Sequence, residues 1–238
     1  MSFDLPRNVI LPVDAVDVRL DPGPHPFERD NAQAIADNWN REIAAKPALF
    51  DGTVVLLSAL SYRDNHLVGR CHAVKYSTFM LWRASRQVAG AEHAYAHAML
   101  VAGDNALVAI RMGPHTVGAG RVYFAAGSFE PIDFRDGLVD VDFNMMREVR
   151  EETGLDLSIA ARGRRYHALS TASGTVVFRR YHVDEPASEI ARRISAFVAA
   201  ETDPEIEGPV IIRDAADLPD GLAPHMKPLV EWHFSGKD

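Results

Sequence analysis

Residues 147–155 read Arg147-Glu148-Val149-Arg150-Glu151-Glu152-Thr153-Gly154-Leu155. The run predicts the end of a helix over residues 143–153, with Gly154 just past the last turn, where a left-handed residue is needed. Glu148, Glu151 and Glu152 stand at i, i+3 and i+4, so one helix face projects three carboxylates within about one turn. Like charges this close repel and weaken the helix, and a divalent cation removes that cost. Hard cations such as Mg2+ take carboxylate oxygens and keep waters or substrate phosphates as their other ligands. The plain alternative is a solvated face, since Arg147 and Glu151 form an i,i+4 pair. The whole string argues against it. By average residue frequencies, Arg-Glu-apolar-x-Glu-Glu-x-Gly-apolar arises by chance in a chain of 238 residues on the order of once in a hundred thousand.

Outward from this helix, the chain reads as strands mixed with helices. Residues 97–101 and 107–111 flank Gly103-Asp104-Asn105 as a hairpin, and 122–125 is a short buried strand running into a turn at 127–131. Residues 166–169 and 175–182 form a second hairpin about Ser173-Gly174. A helix follows over 188–200, with Ile190, Ile194 and Phe197 on one face, then a strand at 210–212 and a helix over 223–234. Toward the N-terminus, a strand at 13–20 is broken by Asp21-Pro22-Gly23-Pro24, and a helix over 27–45 ends at Lys46-Pro47. Residues 53–58 and 74–81, rich in β-branched and aromatic residues, read as strands about a polar connection containing Arg63-Asp64-Asn65. The expected architecture is an N-terminal α+β subdomain over 1–92, followed by an α/β domain over 93–238.

Composition excludes several classes. Cys71 is the one cysteine, so neither an internal disulfide nor a multi-cysteine zinc site is available. No apolar run approaches the roughly 20 residues of a membrane span, and the first ten residues do not read as a secretory signal. With a thiol that fits a reducing compartment, the expectation is a cytoplasmic protein without a membrane partner. A net charge of −8 argues against a polynucleotide partner, because such affinity comes mainly from phosphate neutralisation. A small nucleotide remains a suitable ligand, since metal ions can supply its counter-charge.

The string at 147–155 resembles the second half of the Nudix box: Gly, five residues, Glu, seven residues, then Arg-Glu-aliphatic-x-Glu-Glu-x-Gly-aliphatic. The first half departs. Counted back from Arg147, the family's Glu falls on Val139 and its Gly on Asp133. Upstream, Ala126-Gly127-Ser128-Phe129-Glu130-Pro131 is similar to the family's Gly-Gly-x-x-Glu-Pro turn, with Gly127 as its glycine. The next Glu then falls on Asp133, which leaves thirteen residues between it and Arg147, six more than the family spacing. The extra residues lie within 134–143 around the turn signal Asp136-Gly137, and Asp133, Asp140 or Asp142 stands for the missing carboxylate.

The resemblance covers roughly residues 93–235. It implies an α/β/α sandwich with a mixed sheet, and Mg2+- or Mn2+-dependent hydrolysis of a nucleoside diphosphate linked to another moiety. Carried over by position, Glu148, Glu151, Glu152 and the Gly127 carbonyl match metal-binding places, with Glu148 and Glu151 beside Arg147 in the catalytic set. Glu130 matches a substrate or second-layer contact. Family members take their base from the helix or from a later loop, and the acidic stretch 201–208, with Glu205, is such a loop. Many members are homodimers, which the resemblance leaves open here.

Other signals are weaker. Arg111, Arg83 and Arg86 suit phosphate by their geometry, Arg111 being the one assigned to substrate. His93 and His97 are spaced for a metal only on a helix, and their segment alternates like a strand. Cys71-His72 lacks a surrounding thiol-catalysis motif, and the Gly-rich stretch 115–121 lacks the strand–helix context of a phosphate-binding loop. In the N-terminal part, Trp39, the run from Pro47 to Gly52, Leu60-Ser61-Tyr62-Arg63-Asp64 and Ala84-Ser85-Arg86-Gln87-Val88 are similar to segments of the Nudix UDP-glucose/UDP-galactose diphosphatases. A Gly-Thr-Asn element expected after Asp64 is absent. The resemblance therefore implies a UDP-sugar substrate first. ADP-ribose, ADP-sugars, dinucleoside polyphosphates and CoA esters are its competitors. From another class comes a non-catalytic nucleotide sensor of Nudix fold. Against it stand the three intact helix glutamates and the absence of a basic helix-turn-helix.

Overall fold

The computed structural model describes residues 3–47, 49–85 and 90–236. Strands run in chain order as β1 (Phe3–Asp4), β2 (Ile10–Val13), β3 (Ala15–Asp21), β4 (Thr53–Arg63), β5 (His66–Lys75), β6 (Ala94–Ala102), β7 (Leu107–Met112), β8 (Val122–Tyr123), β9 (Phe134–Arg135), β10 (Leu138–Val139), β11 (Ala161–Arg162), β12 (Tyr166–Thr171), β13 (Gly174–Val183) and β14 (Ile206–Ile212). Helices are α1 (Pro26–Asp30), α2 (Ala32–Ala45), α3 (Tyr76–Ser85), α4 (Val141–Thr153), α5 (Ala187–Ala200) and α6 (Met226–Phe234). This mixed α/β chain divides into two compact units. The first draws on Met1–Tyr95, Ser128–Val141 and Ala168–Val176, and the second on Ala96–Gly127, Asp142–His167 and Val177–Asp238.

The first unit holds a mixed sheet in the order β1-β4-β5-β3-β10-β9. Strand β4 runs past the expected 53–58, and β5 fills most of the stretch expected as a polar connection, overlapping the strand expected at 74–81 only at Val74 and Lys75. The two meet in a tight turn at Asp64 and Asn65, both left-handed (φ 50° and 61°), a conformation Asx residues tolerate better than most. The helix expected over 27–45 is interrupted at Asn31, whose side-chain amide donates to the Phe27 carbonyl at 2.8 Å in competition with the backbone. Residues 76–81, expected to continue a strand, instead open α3. The Asp51 carboxylate accepts from the Ser77 backbone N–H (2.7 Å) and hydroxyl (3.2 Å), satisfying donors that a helix start leaves free. Phe79 and Trp82 then pack with Phe27, Val54, Leu56 and Val74.

The six extra residues before α4 are part of a folded hairpin. Asp136 (φ 50°) and Gly137 (φ 77°) turn the chain between β9 and β10. Strand β10 then pairs antiparallel with β3, and the Leu20 N–H donates to the Gly137 carbonyl at 2.9 Å. The insertion therefore extends the first unit's sheet.

In the second unit, β14, β7, β6 and β13 lie side by side. Alternate residues of a strand point to opposite faces, and β13 uses both. Phe178 and Arg180 meet the Trp232 ring of α6, at 5.3 Å between ring centroids and 3.9 Å from guanidinium to ring. Arg179 and Tyr181 instead reach Asp142 in the first turn of α4, at 2.8 and 2.6 Å. Helices α4 and α6 thus cover opposite faces, giving an α/β/α layering. Helix α4 stops at Gly154 (φ 70°), where a side chain would also overlap the Phe197 ring of α5. No helix among the described residues is long and apolar enough to cross a membrane.

Candidate active site

Helix α4 turns its glutamates to different surroundings. Glu148 and Glu152 are each 8% exposed, whereas the Glu151 side chain is 58% exposed. Glu152 Oε2 accepts from the Ala126 backbone N–H at 2.9 Å, fastening the turn after β8 to the helix. The next residue is Gly127, and the Glu148 carboxylate lies against its bare α-carbon. A methyl group there would stand 2.5 Å from Glu148 Oε2 and closer still to Oε1 and Cδ. Arg147 donates to Glu148 Oε1 at 2.8 Å and to Glu151 Oε2 at 2.9 Å, holding both carboxylates from one guanidinium.

Glu205 arrives from a different part of the chain. Strand β14 pairs antiparallel with β7, placing Ile206 opposite Met112 and Glu205 just beyond the strand end. The Gly113 N–H donates to the Glu205 carbonyl at 2.8 Å, and a side chain on Gly113 would meet that carbonyl at 2.9 Å. The carboxyl of Glu152 is pushed well above its usual range, first by burial and next by the charge of Glu148. Glu205 and Glu151 add to the rise, and the Ala126 N–H opposes it. The charges of three other carboxylates therefore bear on Glu152 within this unit.

One guanidinium, that of Arg147, offsets only part of this negative charge. Among the described residues no three His, Cys, Asp or Glu side chains stand together so as to hold a metal ion. Mg2+ does not ask for three: it binds through one or two carboxylates and completes its shell with water and phosphate oxygens. The donor set here is all hard oxygen, and Gly127 leaves the Glu148 carboxylate room in the turn. Glu148 and Glu152, with the exposed Glu151 on the same helix, are the carboxylates that could hold a divalent cation.

The remaining predicted residues fall elsewhere or are otherwise engaged. Nη1 of Arg111 donates to the Gly120 and Asp220 carbonyls, both at 3.1 Å, which is a loop-fastening arrangement. Asp142 is bound to Arg162, Arg179 and Tyr181. Glu130, Asp133 and Asp140 lie in the first unit, where the fully buried Asp133 carboxylate accepts from the Glu130 N–H at 2.8 Å. Arg83 lies on α3, also in the first unit, and Arg86 is outside the described residues. His93 and His97 have separate partners: His93 meets the Ser128 hydroxyl, and His97 meets His225 with Nε2 atoms 2.9 Å apart. Cys71 is buried, and burial pushes its thiol up to about 12, so it is held unreactive.

His115 opens the Gly-rich stretch 115–121, which sequence set aside as a phosphate-binding loop. Its imidazole stands over Gly113, with Cε1 3.2 Å from where a Cβ would be, on the backbone that holds Glu205. Its sequence context is a Gly113-Pro114-His115 turn directly after a strand.

No protein-family model and no curated protein matches the sequence. Solved structures do match. A MutT protein from Methanosarcina mazei Go1 is 12% identical over 60% of this chain and 93% of its own, with a TM-score of 0.39. DR0079 from Deinococcus radiodurans is 14% identical over 62% and 93%, with a TM-score of 0.41. The E. coli ORF135 protein is 20% identical over 60% and 89%, with a TM-score of 0.37. Similarity at this level assigns no chemistry to the chain, which rests on its own residues.

Proposed function

We propose that the chain is a Nudix-type hydrolase that uses Mg2+ or Mn2+ to cleave the diphosphate linkage of a nucleoside diphosphate joined to another group, with a UDP-sugar as leading substrate. One observation carries the reading: the glutamates of 147–155 meet the turn at Ala126-Gly127, where Glu152 takes a backbone N–H and Glu148 lies on a bare α-carbon. A motif that was only a solvated face would have no use for either contact. Glu148 and Glu152 would hold the cation, which would supply the charge that offsets the phosphoryl oxygens. Arg147 keeps Glu148 and Glu151 in place. Glu151, exposed and close to the cluster, or Glu205 orients the attacking water and takes its proton. Water oxygen bonds to one phosphorus as its bridging P–O bond breaks. From a UDP-sugar this yields UMP and a sugar 1-phosphate. The UDP-sugar choice is supported by the N-terminal segments at Trp39, 47–52 and 60–64.

The test is UMP release from UDP-glucose with Mg2+, beside ADP-ribose, NADH, CoA and diadenosine polyphosphates. Selective turnover of UDP-glucose supports the whole reading. Turnover of another compound keeps the chemistry and discards the substrate. No turnover with either cation overturns the hydrolase and favours a nucleotide sensor.

A further inference from the structure

The six-stranded sheet of the first unit packs one face and opens the other. Along β3 and β5, Val18, Leu67 and Cys71 are buried, whereas Arg19, Val68 and Arg70 on the opposite face are exposed. The open face holds a cavity of about 570 Å3, the size of a small-molecule site, with Arg19, Arg63, Arg70, Asp17 and Leu138 in its lining. Two features shape it. Strand β4 shifts register between Leu57 and Ala59, which bends the strand, and Gly69 lies so close that a Cβ there would stand 2.8 Å from the Ala59 carbonyl. The β9–β10 hairpin supplies a wall: Leu138 pairs with Arg19, and a Cβ on Gly137 would lie 3.6 Å from Nη1 of Arg19. The insertion before α4 thus encloses a space that the sheet alone would leave open.

The charges of this cavity are not settled within the chain. Arg19 and Arg70 stand directly opposite each other across β3 and β5, where like charges destabilise a sheet. Arg70 has a counter-ion, donating from Nε to Asp21 at 2.6 Å. Among the described residues no carboxylate or carbonyl meets the Arg19 guanidinium. Arg63 reaches Asp4 at 3.4 Å, but the two side chains are 76% and 69% exposed, and so open a pair gives way readily to a better anion. Asp17, two residues before Arg19 on the same face, adds an acceptor. We propose that this cavity binds a sugar-like polyol bearing one oxyanion group. Arg19 and Arg70 take the carboxylate or phosphate, whose geometry the guanidinium fork matches. Hydroxyls of the ligand donate to Asp17, and Leu138 covers its carbon skeleton. The lining belongs wholly to the first unit, so its occupancy does not depend on the hydrolase reading.

The experiment titrates glucose 6-phosphate, gluconate and glucose into the full chain with chelator present, which keeps phosphate from binding through a cation at the α4 glutamates. Calorimetry gives the affinity, and NMR of labelled methyl groups locates the ligand at Leu138 and Val68. Wild type should bind glucose 6-phosphate or gluconate saturably, with shifts at both methyls, and glucose should not bind. Gluconate alone marks a carboxylate ligand and glucose 6-phosphate alone a phosphate ligand, and either sustains the site. Arg19→Gln should weaken binding by about tenfold or more, the scale of a hydrogen bond to a charged group. Arg29→Gln, which removes an exposed arginine of α1 outside the lining, should leave it within about twofold. No saturable binding of either charged probe at about 10 mM overturns the proposal. So does binding that leaves the Leu138 and Val68 methyls unmoved, equal affinity for glucose, or an Arg19→Gln affinity matching wild type.

Discussion

Gly127→Ala asks the most of the proposed site with the least chemical change. The added methyl would stand 2.5 Å from Glu148 Oε2, and ordinary contact begins at 3.4 Å, so the carboxylate must withdraw by about 1 Å. It has little room to do so, because Glu148 is buried and Arg147 holds its other oxygen at 2.8 Å. Overpacking of this kind costs about 1–3 kcal/mol of stability. A displacement near 1 Å in a group that positions reactants costs about a hundredfold in rate. The assay is kcat with Mg2+, Mn2+ affinity by electron paramagnetic resonance, and urea unfolding. Gly163→Ala serves as control, since its methyl would find only ordinary contacts at 3.5 Å and beyond. The double variant Gly127→Ala/Glu148→Asp shortens the obstructing side chain, and should recover stability without recovering turnover. Gly127→Ala with kcat within about threefold of wild type and unchanged Mn2+ affinity would refute the reasoning.

Three further outcomes follow from the packing. His97 and His225 are both held below the ordinary imidazole value by burial, His225 to about 4. Their folded forms stay neutral while the unfolded chain takes up protons. Stability is therefore full above about pH 6.5 and falls as pH drops toward 4, and His225→Asn should flatten that slope in urea midpoints measured across the window. Asp142→Asn leaves Arg162, Arg179 and Tyr181 facing an uncharged group and should cost about 3 kcal/mol by the same melts. Asp51→Ala removes the cap on α3 and should cost about 1 kcal/mol, with no effect on turnover.

What the sequence disclosed was local. Helix α4 and its stop at Gly154 follow from signals within thirteen residues, and the three glutamates could be placed on one face without any tertiary information. The strand expected at 74–81 failed because Tyr76, Phe79 and Trp82 satisfy a helical period as well as a β-rich composition, and Asp51, distant in sequence, decides between them. The insertion was visible as a count of residues, but its partner β3 lies more than a hundred residues earlier, and strand pairing at that separation leaves no local trace. Glu205 was marked only as one acid in an acidic stretch. Its electrostatic influence on Glu152 depends on where the fold places the end of β14, through its pairing with β7. Arg111 was chosen for what guanidinium groups do in general, and the carbonyls of Gly120 and Asp220 that occupy it come from two separate loops. Chemistry was legible where its residues share one helix, and became illegible where the fold assembles them.

The central claim is that the carboxylates of α4 support a divalent-cation-dependent hydrolysis. Its most direct test is the rate of diphosphate cleavage by wild type and Glu152→Gln, each with Mg2+ and with chelator, beside circular dichroism of both proteins. The account predicts cation-dependent turnover in wild type and a loss of about a thousandfold in Glu152→Gln with an unchanged spectrum. Equal rates in the two proteins, or wild-type turnover undiminished by chelator, would contradict it.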